Sequence, residues 1–255
     1  MNQLRVSVAT YDQVIFPHPE SRIPMLALER KATVLADGSL YVRAQPFGGG
    51  VKILNPKSLK EIVVEIQFDS DRSKQEQDFR ILIQPSQWEV VKQYCLRHLG
   101  NPNDSEIESA PDRELAEEFA EIMGVVLNRS QYGVEPMGIV IEDNPVLTEN
   151  WYSPGFLTVR VYRTYKVHII DPDLCKTLLY ISGQVSDEEL GMRALNNNAR
   201  RANSVLTLPL DKVRETFLKA PAEKRFNKIE VDHHLLDQSV LVVLEDIEVS
   251  EYRRL

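Results

Sequence analysis

The chain has 255 residues, 43% hydrophobic and 27% charged, the balance of an ordinary globular protein long enough for one large domain or two small ones. Its formal charge of −8 argues against general binding to nucleic acid, which needs concentrated Lys and Arg. Two cysteines, Cys95 and Cys175, cannot build a disulfide framework or a four-thiolate zinc site, no secretory signal opens the chain, and no apolar run nears the ~20 residues that cross a bilayer. The expectation is a cytoplasmic protein with neither nucleic acid nor membrane as partner.

In chain order, Leu4 to Ala9 alternates as a strand and is broken by Pro17, His18 and Pro19. Met25 to Leu35 and Leu40 to Ala44 form a second strand pair across the turn Ala36-Asp37-Gly38-Ser39. Pro46-Phe47-Gly48-Gly49-Gly50 is the glycine-rich loop of the chain, suited to unusual dihedrals or a close backbone approach. Leu59 to Phe68, rich in Ile and Val, reads as a strand, and Phe79 to Ile83 as its continuation in a sheet. Ser86 to Leu99 has helical spacing, with Trp88, Val91, Tyr94, Cys95 and Leu99 on one side.

A polar stretch, Asn101 to Pro111, leads into the run Arg113-Glu114-Leu115-Ala116-Glu117-Glu118. Asp112 or Ser109 would cap that helix, and Gly124 would stop it. Further strands are expected at Gly138 to Glu142, Leu157 to Ile170, Thr177 to Ser182, Leu206 to Leu210, Lys228 to Val231 and Val240 to Ile247. Helices are expected at Ser186 to Asn196 and Asp211 to Leu218. Many strands and few helices, mostly not alternating, predict an α+β fold around one mixed sheet.

The glutamate helix carries the most chemistry. Glu114, Glu117, Glu118 and Glu121 cluster within roughly 100° of arc at about 100° per residue, while Leu115, Ala116, Phe119, Ala120, Ile122 and Met123 fill the rest. Such an array suits Mg²⁺, which prefers hard oxygen ligands and keeps waters for a phosphate-bearing substrate. A solvated helix also presents an acidic face, so the pattern alone decides nothing.

The order of strand (Ser39 to Arg43), glycine loop (Pro46 to Lys52) and Arg-Glu-x-x-Glu-Glu helix (Arg113 to Glu118) resembles the Nudix hydrolase family. The resemblance implies a Nudix-like α/β/α sandwich in a single domain over residues 1–255, with an insertion carrying a strand and a helix at about 53–111. It implies hydrolysis of a nucleoside diphosphate-linked or related pyrophosphate substrate with Mg²⁺ or Mn²⁺. Glu117 and Glu118 would then hold the metal, Glu114 would ligate metal or poise water, and Arg113 would orient a glutamate. Gly48, Gly49 and Gly50 would bring backbone to the site, with Arg43 and Lys52 toward substrate phosphates. The alternative is a noncatalytic nucleotide-binding or regulatory protein of similar fold. Its support is Ala120 where the family has glycine, Glu121 at the next, apolar position, and Ser105 where a further glutamate is expected. A homo-oligomer or assembly role stays open.

Other constellations are weaker. His233 and His234 on a strand would face opposite ways and hold no common ion, although a turn would relax that limit. His168 reads as a strand residue and Cys95 as a small buried hydrophobe. Arg200 and Arg201, in a polar loop after Asn196, join Arg160 as further cations for phosphate.

Overall fold

The computed structural model describes residues 3–35, 37–147, 155–198, 201–221, 229–244 and 252–255. Its hub is β1 (Leu4–Pro17), which runs parallel to β9 (Leu157–Ile169) from Leu4 beside Leu157 to Ile15 beside His168. The opposite edge of β1 is divided. Antiparallel β6 (Arg80–Ile83) takes Leu4 to Ser7, and antiparallel β2 (Pro24–Val34) takes Val14 to Pro17. β2 continues between β3 (Leu40–Gln45) and β10 (Arg201–Pro209), and β8 (Tyr132–Leu147) closes on β9. With β5 (Gln67–Phe68), β11 (Ile229–Val231), β12 (His234–Leu236) and β13 (Arg253–Arg254), the described residues form one curled, mixed sheet of eleven strands. The architecture is α+β.

β1 is buried on both faces and mainly apolar, with Arg5, Thr10, Asp12 and Gln13 as buried polar residues. Leu4, Val6 and Val8 pack with Val91, Cys95 and Leu99 of α3 (Trp88–Leu99). Farther along the same face, Val14 and Phe16 meet Leu115 and Phe119 of α4 (Pro111–Met123) and Leu174 and Leu178 of α5 (Pro172–Ile181). Between those two apolar patches the face carries Thr10 and Asp12. The other face joins Ala9, Leu26 and Leu28 to Val213 and Phe217 of α7 (Leu210–Lys219) and to Val240, Leu241, Val242 and Leu244. Leu190 and Ala194 of α6 (Asp187–Asn196) cover Ala32 and Val34. No helix among the described residues is long and apolar enough to cross a membrane.

Four elements differ from the sequence expectation. Leu59, Ile62, Val63 and Ile66 lie at helical spacing. The chain there forms α1 (Pro56–Lys60) and turns, with Leu59 and Val63 buried and Val64 96% exposed. Asn55 caps α1, and strand resumes only at β5. Thr177 to Ile181 is the end of α5, which Asp171 starts by accepting from the Leu174 N–H at 2.7 Å, with Pro172 in the first turn. Gln238–Val243 is 3-10 helix. All its apolar side chains are buried, so burial imposes no period of two. Gly138 to Glu142 is the middle of the long, bulged β8. The expectations at Ala36, Arg200, Lys228 and 245–247 lie outside the described residues.

The stretch between the glycine loop and α4 leaves and returns at one place. β4 (Lys52–Ile53) pairs with β7 (Ile107–Glu108), placing Ile53 beside Ile107. Within that stretch, α2 (Asp71–Glu76) is capped by Ser70 and α3 covers the sheet. β6 is a strand of the main sheet and Arg5 of β1 bonds Asp69 at 2.7 Å in a buried ion pair, so the stretch is built into the fold.

Candidate functional site

The glycine loop occupies the gap in the edge of β1. Thr10 N–H donates to Gly49 O at 2.9 Å, Asp12 N–H to Phe47 O at 2.9 Å, and Val51 N–H to Val8 O at 3.2 Å. Residues 47–51 thus complete the sheet between β6 and β2 as an irregular strand. Gly48 has φ +136°, and a Cβ there would lie 2.0 Å from the Thr10 carbonyl oxygen, so only glycine fits. Phe47 anchors the loop from the other side, its ring 5.2 Å from that of Phe119 on α4.

This packing sets the rotation of α4. With Leu115 and Phe119 buried, Glu114 and Glu118 face the loop. Glu118 Oε2 accepts from the Gly48 N–H at 2.9 Å. A Cβ on Gly49 would fall 2.1 Å from Glu114 Oε2, so the missing side chain gives room to that carboxylate. Glu117 and Glu121 turn to solvent. Arg113 spans the two faces: it donates to Glu108 at 2.9 Å and Glu117 at 2.9 Å, and it pairs with Glu114. α4 begins at Pro111 after Ala110, with no side-chain cap, and Gly124 ends it at φ +65°. Neither residue expected to cap it does so. Ser109 Oγ is buried without a partner, and Asp112 accepts from Arg129 at 2.7 Å and from Tyr132 Oη at 2.8 Å.

More carboxylates converge here than the helix supplies. Asp12 is fully buried, with both oxygens lacking a hydrogen-bond partner. Burial, then Glu114 and Asp112, push its carboxyl well above the usual range. Burial and the nearby Glu29 do the same to Glu118, against the opposing pull of Lys31 and the Gly48 N–H. Burial raises Glu114 although Arg113 opposes it, and burial raises Asp78 although Arg80 opposes it. Asp78 lies against the loop, since a Cβ on Gly50 would sit 2.9 Å from its Oδ1. Glu29, itself buried, accepts from Gln45 at 2.8 Å and pairs with Lys31 at 3.3 Å.

Asp12, Glu29 and Asp78 escaped the sequence reading because each stands alone on its own segment. Their signal was a charged residue in an inward position, as at Asp12 between Val8 and Val14 on the apolar face of β1. Of the expected phosphate contacts, Lys52 in β4 lies opposite Asp78 in a backbone β-bridge. Arg43 is held by Asp237 at 2.7 Å over the Tyr41 ring, and Arg160 by the buried Glu142 at 2.6 Å. Arg201 opens β10 beside Thr33. His233 occupies a turn and is almost fully exposed, whereas His234 begins β12; Cys95 and Cys175 are buried free thiols.

Among the described residues no three His, Cys, Asp or Glu side chains gather closely enough to hold one ion. The arrangement instead presents two carboxylates, Glu114 and Glu118, against the loop backbone. Mg²⁺ is commonly held by one or two carboxylates, its other positions going to water and substrate phosphate, so this donor set fits it. The unpartnered oxygens of Asp12 leave acceptor capacity on the Glu114 side of that pair. Comparison with protein-family models, curated proteins and solved structures finds no match.

Proposed function

We propose that the chain is a metal-dependent hydrolase of a diphosphate-linked small molecule, built on a Nudix-like α/β/α arrangement with Mg²⁺ or Mn²⁺ at Glu114 and Glu118. The observation that carries this reading is the contact of Glu118 with the Gly48 N–H and of Glu114 with Gly49. It joins the glycine loop to the acidic helix across the long stretch between β4 and β7. A carboxylate pair fixed by a backbone donor and by a guanidinium is preorganised, which a ligand or general-base role needs.

In this reading a divalent cation supplies charge neutralisation on phosphate oxygens and a more acidic water. Arg113 holds Glu114 Oε1 and so fixes its rotation, leaving Oε2 beside Gly49. That leaves Oε2 as the Glu114 oxygen that would ligate the cation. Glu118 ties the helix to the loop, so loop and helix keep one geometry during the reaction. Lys31, beside Glu29, offsets part of the negative charge. Glu117 supports the site through Arg113 and not by direct ligation.

The test is pyrophosphate-linkage release from a panel of nucleoside diphosphate derivatives with Mg²⁺ or Mn²⁺. Metal-dependent turnover that Glu118→Gln lowers by about 100-fold, with folding intact, is the expected result. Turnover unchanged by Glu118→Gln sinks the reading. Nucleotides that raise the melting temperature without being consumed would favour a noncatalytic binding protein instead, for which Ala120, Glu121 and Ser105 at the family's motif positions are the supporting residues.

A further inference from the structure

Beside the first turn of α4 lies a cavity of about 320 Å³ that the carboxylate site does not use. Its walls include Pro111 and Asp112 of α4, Arg129, Pro136 of β8, and Arg163 and Tyr165 of β9. The strand register explains why β9 points there. Arg163 lies beside Thr10 and Tyr165 beside Asp12, so these side chains share the face of the sheet that meets α4. Thr10 Oγ1 donates to Ser109 O at 3.4 Å, which ties that face to the residue just before the helix.

Arg163 is 7% exposed, its Nε has no hydrogen-bond partner, and among the described residues it makes no ion pair. Its guanidinium stacks over the Tyr165 ring at 4.8 Å. The Tyr165 hydroxyl is buried and also has no partner. Arginine does not lose its proton in a protein, so this is a buried positive charge that the fold leaves unmatched. Such a charge normally pairs with an anion or is absent. The acid that lines the cavity, Asp112, is occupied by Arg129 and Tyr132. The N-terminus of α4 reaches the same cavity uncapped, because Ala110 has no side-chain oxygen. Pro111 has no N–H, so the first-turn amides on offer begin at Asp112, and they and the positive dipole end favour an oxyanion.

We propose that this cavity binds the phosphate group of a small phosphate ester, with Arg163 as the principal cation and the first-turn amides of α4 and the Tyr165 hydroxyl as further donors. Donors arriving from a side chain and from a helix axis suit a tetrahedral oxyanion better than a planar carboxylate. The volume is at the small end of ligand pockets, enough for a phosphate with a compact organic group and too small for a macromolecular segment. The site stands whether or not Glu114 and Glu118 hold a metal.

The test is calorimetric titration of the full chain with ribose 5-phosphate, inorganic phosphate, malonate and ribose at constant ionic strength. Ribose 5-phosphate binds and ribose does not. Losing the charge-assisted bonds in Arg163→Met weakens binding about tenfold to a hundredfold. Tyr165→Phe, which removes one neutral donor, weakens it about twofold to tenfold. Glu118→Gln leaves the affinity unchanged, which separates this site from the hydrolase reading. Equal affinity in wild type and Arg163→Met overturns the proposal, as do tighter binding of malonate, inorganic phosphate binding without the ester, and silence of both phosphates. If Arg163→Met does not fold, unchanged affinity in Tyr165→Phe overturns it.

Discussion

The two sides of α4 carry the same residue type and opposite physics. Glu114 and Glu118 sit against the glycine loop, largely removed from water, and hold protons more tightly than free carboxylates. Glu117 and Glu121, three residues from each of these, lie in solvent on the same helix. A carboxylate in bulk water is already satisfied by its hydration, whereas one beside a fixed N–H and stripped of water gains by binding a proton or a cation. What separates the two pairs is Phe47 and the loop that it anchors under Phe119.

The largest expected effect comes from breaking that anchor. Gly48→Ala would force a Cβ into the Thr10 carbonyl at an unfavourable φ, with backbone on both sides of the clash. It should cost about 3 kcal/mol or more. Gly124→Ala, also at positive φ but with open space around the Cβ, should cost only about 1–2 kcal/mol. Urea denaturation of both variants checks the order, and equal costs would mean the loop is not locked to β1. Next, Glu118→Gln should lower metal-dependent turnover by about 100-fold, the upper range for losing a supporting or ligating group at a metal site. Steady-state rates on whichever diphosphate substrate the panel identifies provide the check.

Asp12 sharpens the comparison because it is buried like Glu118 but has no donor at all. Its proton affinity is raised in the folded chain, so ionising it costs folded stability once pH exceeds the unfolded value of roughly 4. Below that pH both states are protonated and the cost vanishes. Asp12→Asn should therefore stabilise the metal-free protein by about 1–3 kcal/mol at pH 7, with the gain shrinking toward zero near pH 3. Melting curves across that range test the sign. A destabilised Asp12→Asn at neutral pH would show that the carboxylate has a partner. The smallest effect belongs to Glu117→Gln, which removes an exposed pair with Arg113 and should change stability by less than about 0.5 kcal/mol.

Local signals made the helix and the loop legible in the sequence. The spacing of Leu115 and Phe119 and the stop at Gly124 located α4, and the three consecutive glycines located the loop. Their meeting, 70 positions apart at Gly48 and Glu118, was implied only by resemblance. No spacing rule reaches across β4 and β7 to show that Ile53 returns to Ile107. Nor does one reveal Asp12, Glu29 and Asp78, which tertiary pairing brings to the loop from three separate segments. Arg163 was hidden by the same cause, since its lack of a partner is a property of the packed sheet and not of the strand. Helical periodicity at Leu59, Ile62, Val63 and Ile66 was present but masked by the β-branched Ile62, Val63, Val64 and Ile66.

The most direct measurement is Mn²⁺ titration, followed by electron paramagnetic resonance, of wild type and two double variants. One is Glu114→Gln with Glu118→Gln, the other Glu117→Gln with Glu121→Gln. The account predicts a bound ion in wild type, affinity at least about tenfold weaker in the inner pair, and affinity close to wild type in the outer pair. Equal binding by both double variants, or none by folded wild type, would contradict it.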